Sequence, residues 1–256
     1  MRFAVLCLIW LIPLTVSLKV TCNYRIATWS FIKDHYQCHI TELLVETPDE
    51  VVESVDGQHL PEKTVDDVKS IHIDNQICMF IPQRFDSFFK KIEGLQINAA
   101  NLTTITQADL KPFPNLKQLI LNDNEIVELS ANLFEFNPKL IFLDFTNNNI
   151  NLIAENIFSQ LAKLESVNLV DNVCINKSGY GPTEILEVVD EIASSCHGNS
   201  TEEYESTEAT SNATELITLK PAAAPPAQEE KKTTQKPSTN KKFLNKRKGK
   251  NHWGYG

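Results

Sequence analysis

The sequence predicts an α/β solenoid of about five stacked turns, closed by a disulfide-bonded cap at each end. Three observations carry that prediction. Apolar residues recur at positions 1, 4, 6 and 11 of a 24-residue period between Val68 and Cys174. Asn stands at position 9 of the last three turns, as Asn124, Asn148 and Asn172. Cysteines bracket the periodic region, Cys22 and Cys38 before it, Cys174 at its last position and Cys196 beyond it.

In chain order, residues 1–17 read as a secretory signal peptide. Arg2 supplies the positive end, Ala4 to Val16 the apolar run, and Thr15 and Ser17 the small residues of a cleavage site. The run is too short to span a bilayer comfortably, and Pro13 interrupts it. No later segment has the composition of a membrane span, so the expected location is secreted and extracellular. Residues 18–67 are expected to form an N-terminal cap. Tyr36–Val45 alternates like a strand and Val51–Val55 follows a Thr47-Pro48-Asp49 turn, which predicts a hairpin on the solenoid edge. Such an edge, left bare, exposes apolar side chains and unpaired backbone.

Residues 68–174 hold the repeats. The columns are Val68, Ile71, Ile73 and Cys78; Ile92, Leu95, Ile97 and Leu102; Leu116, Leu119, Leu121 and Ile126; Leu140, Leu143, Phe145 and Ile150; Leu164, Val167, Leu169 and Cys174. Positions 4 and 6 alternate with polar positions 3, 5 and 7, the signature of a short strand with one face in a core. Ile81, Ile105, Leu129 and Ile153, then Leu110, Phe134 and Phe158, turn the chain back inward. One turn cannot bury its own apolar face, so neighbours must stack. The position-9 asparagines sit where strand bends into loop and are expected to bond backbone groups of their own and the adjoining turn. Gln76 and Ala100 replace Asn in the first two turns, which predicts a ladder incomplete at that end.

Residues 175–196 are expected to form the second cap. Gly181-Pro182-Thr183-Glu184 starts a helix, with proline in its first turn. Ile185, Leu186, Val188, Val189 and Ile192 supply its apolar stripe. Pairing Cys22 with Cys38 and Cys174 with Cys196 closes loops of about 17 and 23 residues, each worth about 3 kcal/mol by loop entropy. Cys78 is left over, as a buried free thiol or an intermolecular one. Residues 197–256 lose apolar content and predict a disordered, low-complexity tail.

The repeat is identified as the leucine-rich-repeat pattern L-x-x-L-x-L-x-x-N-x-L. Beyond it, Cys22, Trp29, Tyr36 and Cys38, then Val55 to His59, Asp66 to Val68, Leu110 to Leu116, Leu133 to Leu140 and Asn172 to Asn176 resemble small secreted leucine-rich-repeat proteins of insects, dipterans especially. The resemblance covers roughly residues 20–180. It implies a right-handed horseshoe with disulfide-bonded caps and a role in protein interaction. Many extracellular relatives carry four cysteines in the C-terminal cap, where this chain has two.

Function follows from what faces outward. In such a horseshoe, positions 3, 5 and 7 line the concave face, and His72, Gln96, Gln118, Ile120, Asn122, Phe142, Asp144, Thr146 and Asn168 are the candidate partner-binding residues. Ile120 and Phe142 fall diagonally on adjacent strands as an apolar pair in a polar field, the composition of an interface anchor. His72 and Asp74 share a face with Ser70, but no oxyanion site accompanies them, so no catalysis is expected. No C-x-x-C or Cys/His cluster occurs, so neither metal nor cofactor is expected, and no second histidine lies near His72 in sequence.

Asn101, Asn176, Asn199 and Asn212 are N-glycosylation sequons. The net charge of −9 is unevenly distributed. Residues 18–196 carry 13 Lys/Arg against 26 Asp/Glu, and residues 197–256 carry 10 against 7. Lys241, Lys242, Lys246, Arg247, Lys248 and Lys250 form a basic end suited to polyanions such as sulfated glycans. The expected partner is an extracellular protein rather than nucleic acid, and a homodimer is compatible. The leading expectation is a secreted binding module. A matrix or cuticle component tethered by its tail, and an inhibitor of an extracellular enzyme, are the alternatives.

Overall fold

A computed structural model describes residues 17–197. The N-terminal cap contributes β1 (Ser17–Ala27), β2 (His35–Ile40), β3 (Leu44–Val45) and β4 (Val51–Asp56). The repeats contribute β5 (Val68–Asp74), β6 (Ile77–Cys78), β7 (Gly94–Asn98), β8 (Gln118–Ile120), β9 (Glu128–Leu129), β10 (Phe142–Asp144), β11 (Leu152–Ile153) and β12 (Ser166–Asn168). Two single-turn helices, α1 (Phe85–Phe88) and α2 (Gln107–Leu110), lie on the return path, and β13 (Ser178–Tyr180) and α3 (Gly181–Ser195) close the end.

Nine strands form one sheet in the order β13-β12-β10-β8-β7-β5-β2-β1-β4. The five repeat strands are parallel and keep the 24-residue register, so Ile71 pairs with Leu95, Leu95 with Leu119, Leu119 with Leu143, and Leu143 with Val167. This register stacks like positions on like. Each column at positions 4, 6 and 14 is therefore a continuous buried file, and its described members are at most 5% exposed. Burial of each such side chain is worth roughly 1.5–3 kcal/mol. Phe134 stacks on Phe158 across adjacent turns at 6.3 Å between ring centres. Leu164 and Cys174, at the end of the solenoid, are only partly buried.

The expected N-terminal hairpin is in the wrong place. Its antiparallel arms are β1 and β2, with Cys22 opposite Ile40 and Ala27 opposite His35. The Val51–Val55 segment instead pairs parallel to β1 as β4. The signal was present in the alternation Val20, Cys22, Tyr24, all buried. It lay hidden because β1 begins at Ser17, where the apolar leader ends. β2 then docks parallel to β5 and extends the solenoid sheet into the cap. A disulfide joins Cys22 and Cys38 across the hairpin.

At the other end, β13 runs antiparallel to β12, and α3 lies after it with Val188 and Ile192 buried. Leu186, placed in the apolar stripe by sequence, is 63% exposed. A second disulfide joins Cys174 and Cys196, and the Cys196 carbonyl accepts from Ile153 N–H. Among the described residues no helix is long and apolar enough to cross a membrane.

The three asparagines of the ladder share one donor pattern, and Asn124 accepts one backbone N–H more than the other two. Asn124 Oδ1 accepts from Ala100 N and Leu102 N of the preceding turn, while its Nδ2 donates to the carbonyls of Ile97 and Leu121. Asn148 accepts from Ile126 N and donates to Leu121 and Phe145 carbonyls. Asn172 accepts from Ile150 N and donates to Phe145 and Leu169 carbonyls. Gln76 does fill the first rung, accepting from Leu43 N, so the gap is confined to Ala100. There Cys78 N–H donates to the Ala100 carbonyl directly.

Position 8 of every turn is left-handed, with φ between 47° and 58° at Asn75, Ala99, Asp123, Asn147 and Asp171. Asn and Asp tolerate this region because their short polar side chains bond locally, whereas alanine does not. Ala99→Asn should therefore raise the unfolding free energy by about 1 kcal/mol. Asn148→Ala should lower it by about 1–3 kcal/mol for each buried group it orphans. Urea denaturation of both variants checks the pair, and a destabilised Ala99→Asn would disprove the strain argument.

Candidate binding face

The face carrying positions 3, 5 and 7 is not open along its whole length. The β1–β2 connection, residues 28–34, folds across it as a strap. Trp29 and Ile32 exchange backbone hydrogen bonds of 2.8 and 3.3 Å, which makes a tight turn, and Ile32 is 4% exposed. Gly94 lies beneath. A Cβ on Gly94 would sit 2.3 Å from the Trp29 ring and 2.9 Å from Ile32 Cδ1, so only glycine lets the strap reach the sheet. Phe31 N–H donates to Gln118 Oε1, and the Phe31 ring lies 5.5 Å from that of Phe142.

A polar relay holds the strap. Arg25 Nε donates to Gln37 Oε1 at 2.8 Å, and Gln37 Nε2 donates to Ser70 Oγ at 3.2 Å. His35 Nδ1 is 2.9 Å from the Ile32 carbonyl, which can only accept, so Nδ1 carries the proton. His35 Nε2 then accepts from Ser70 Oγ at 2.8 Å. Every member of this chain points one way. Burial pushes the His35 imidazole below its ordinary pKa. The Trp29 ring meets His35 edge-on at 5.2 Å.

The cap also delivers a second histidine to His72. His39 on β2 pairs in register with His72 on β5, and the two rings stack at 4.6 Å. His39 Nε2 lies 2.5 Å from Asp74 Oδ1, and His72 Nε2 lies 3.8 Å from the same oxygen. Arg25 contacts His72 Nδ1 at 3.1 Å. Burial, then the neighbouring His39, pushes His72 down to about 4. In sequence His72 stands alone and no Cys/His cluster is visible. The missing partner was 33 residues away, on a strand that only the cap fold places alongside.

Two candidate binding residues are withdrawn from solvent. Gln118 is 3% exposed and serves the strap, and Asp144 is 6% exposed and accepts from Thr146 N and Oγ1. Burial raises the Asp144 carboxyl pKa. Gln96, Ile120, Asn122, Phe142, Thr146 and Asn168 remain half-exposed. Ile120 and Phe142 keep their diagonal relation, and Phe31 joins them from above. Trp29, Phe31, His35 and His39 are additions that the repeat pattern does not reach; the one available signal is the cluster Trp29, Phe31 and Ile32 in a connection without periodicity.

Cys78 is fully buried, its thiol pushed up to about 12 by burial and donating to the Phe80 carbonyl. A thiol so placed is inert and offers no atom to a second chain. Asn101 and Asn176 are exposed. Asn199, Asn212, the basic run Lys241 to Lys250 and the leader before Ser17 lie outside the described residues.

A family model described as leucine rich repeat matches residues 114–173. The U2 small nuclear ribonucleoprotein A′ of Arabidopsis thaliana is 35% identical over 98 residues, 35% of this chain and 39% of that protein. The chain thus spans well under half of that relative. In the Drosophila Toll–Spatzle complex, one chain is 17% identical with a TM-score of 0.40, over 47% of this chain and 17% of that one. In the LRIM1/APL1C complex, the values are 17% and 0.43, over 62% and 27%.

His35 makes the strap acid-sensitive. Its folded pKa lies below the unfolded value of about 6.5, so the unfolded chain binds more protons on acidification. Its contribution to stability is then complete above pH ~6.5 and declines as pH falls below it. Urea midpoints should be lower at pH 5.0 than at 7.5, and the difference should shrink in His35→Gln. Equal differences in the two proteins would remove His35 as the cause.

Proposed function

We propose that this leucine-rich-repeat chain is a secreted, non-enzymatic module that recognises an extracellular protein through the part of the sheet face that the strap leaves open. One observation carries the reading. Ile120, Phe142 and Phe31 make an apolar spot within a field of neutral polar side chains, Gln96, Asn122, Thr146 and Asn168. An apolar centre within a polar surround is the anatomy of a protein interface, where a few large side chains carry most of the affinity. Parallel strands hold these groups rigidly, so little ordering entropy is lost on docking.

The extracellular setting rests on the two cap disulfides, which persist in oxidising compartments, together with the apolar leader. The same bridges weigh against a role inside a ribonucleoprotein particle. A matrix-tethered role is a second reading, favoured by the nine Lys/Arg between Lys231 and Lys250. Inhibition of an extracellular enzyme would use the same open face and differ only in the partner's identity.

The test compares wild type with an Ile120→Lys/Phe142→Lys variant that secretes and melts normally, each used to capture proteins from extracellular fluid. Loss of two central anchors should weaken the captured complex by at least about 2 kcal/mol, roughly 30-fold. A partner held equally by both proteins would refute the open face as the site. Retention of wild type on immobilised sulfated glycan, lost on deleting residues 197–256, would favour the matrix reading instead.

A further inference from the structure

We propose that His39, His72 and Asp74 form a binding site for a divalent transition-metal ion, with zinc the best fit. The proposal stands apart from the protein-binding reading, because it concerns the junction of cap and first repeat rather than the open end of the face. β2 and β5 are parallel neighbours with His39 directly opposite His72, so both imidazoles leave the same side of the sheet. Asp74 lies two residues beyond His72 on β5 and therefore points the same way. One ligand atom from each of the three residues lies within 4.8 Å of the others. A tetrahedral zinc ion with bonds of ~2.0–2.1 Å sets its ligand atoms ~3.4 Å apart, a value that falls between the observed spacings of 2.5 and 3.8 Å.

The donor set selects the ion. Two imidazoles and one carboxylate suit zinc, copper and nickel, whereas calcium and magnesium require more oxygens. The backbone of each ligand is fixed in a sheet, so the ladder supplies pre-organisation that a loop site lacks. A second observation points into the same space. His72 Nε2 is buried and makes no hydrogen bond, with Asp74 Oδ1 too distant at 3.8 Å. A buried ring nitrogen without a partner is costly, and a bound cation would satisfy it once the ring proton sits on Nδ1.

Binding requires three local adjustments. His39 Nε2 and Asp74 Oδ1, now 2.5 Å apart, must separate by ~1 Å to admit the ion. The stacked rings must tilt, and the proton that His39 Nε2 donates to Asp74 must move to Nδ1, so that the Nε2 lone pairs converge. The third adjustment concerns Arg25, whose guanidinium contacts His72 Nδ1. A guanidinium only donates, so it holds His72 with its proton on Nε2. Coordination through Nε2 moves that proton to Nδ1 and expels Arg25, whose charge the metal also repels. Arg25 thus competes with the metal for the same imidazole. Three protein ligands leave a fourth position for water or a partner's side chain.

The experiment uses the full chain, stripped with chelator, dialysed and titrated with zinc chloride, and separately with cobalt chloride to read the visible absorption of tetrahedral cobalt. One equivalent should bind at micromolar concentration or below. His39→Gln, His72→Gln and Asp74→Asn should each weaken it by at least about 10-fold, and Arg25→Gln should tighten it. In wild type, zinc should shift the side-chain nitrogen resonances of His39 and His72, a readout that needs no variant to fold. Absence of binding, binding unaltered in all three ligand variants, or unmoved His39 and His72 resonances would each overturn the proposal.

Discussion

Where each strand bends into its loop, the backbone exposes donors that the turn itself cannot satisfy, and the stack depends on how they are met. Asn124, Asn148 and Asn172 reach across to N–H groups of the preceding turn and bind carbonyls on both sides. The hydrophobic files hold the turns together without direction, while this ladder sets their register. A slip of one residue would turn the apolar files to solvent and break every rung. The two constraints agree at all positions except Ala100, where a backbone carbonyl takes over.

A stack needs ends, and the ends decide what the face can do. The N-terminal cap adds β2, β1 and β4 to the solenoid sheet, so its edge is displaced rather than merely covered. The connection between β1 and β2 must then cross the sheet face, and Gly94 gives it room. The strap consumes positions 70, 94 and 118 and leaves Ile120, Phe142 and the polar groups around them. A side chain of the cap, Phe31, lies against Phe142 and joins the surface proposed for a partner. The cap is therefore structural closure and also contributes one aromatic side chain to the proposed recognition surface.

The same extension brings a basic and imidazole-rich set against the first repeat. Arg25, His35, His39 and His72 gather with one acid, Asp74. His35 is locked into a one-directional relay that fixes its tautomer. His72 is left with one nitrogen unsatisfied. The buried, fully bonded His35 serves the fold, whereas the half-buried His72, with one nitrogen unpaired, is the one available to the proposed metal.

The 24-residue period by itself determined the repeat strands, the buried files and the three asparagine rungs of the ladder, because local alternation and nearest-neighbour stacking are enough to define a one-dimensional array; the disulfide pairing followed from the cysteines that flank that array. It also placed Ile120 and Phe142 on one face, since that follows from strand parity alone. The cap hairpin was not legible, because its first strand merges with the apolar leader and its partners obey no period. The burial of Gln118 and Asp144, the exposure of Leu186, the Phe31 contact and the His39–His72 pair were decided only by tertiary structure. Each depends on a segment of non-repeating sequence returning over the array, and periodicity carries no information about where such a segment lands.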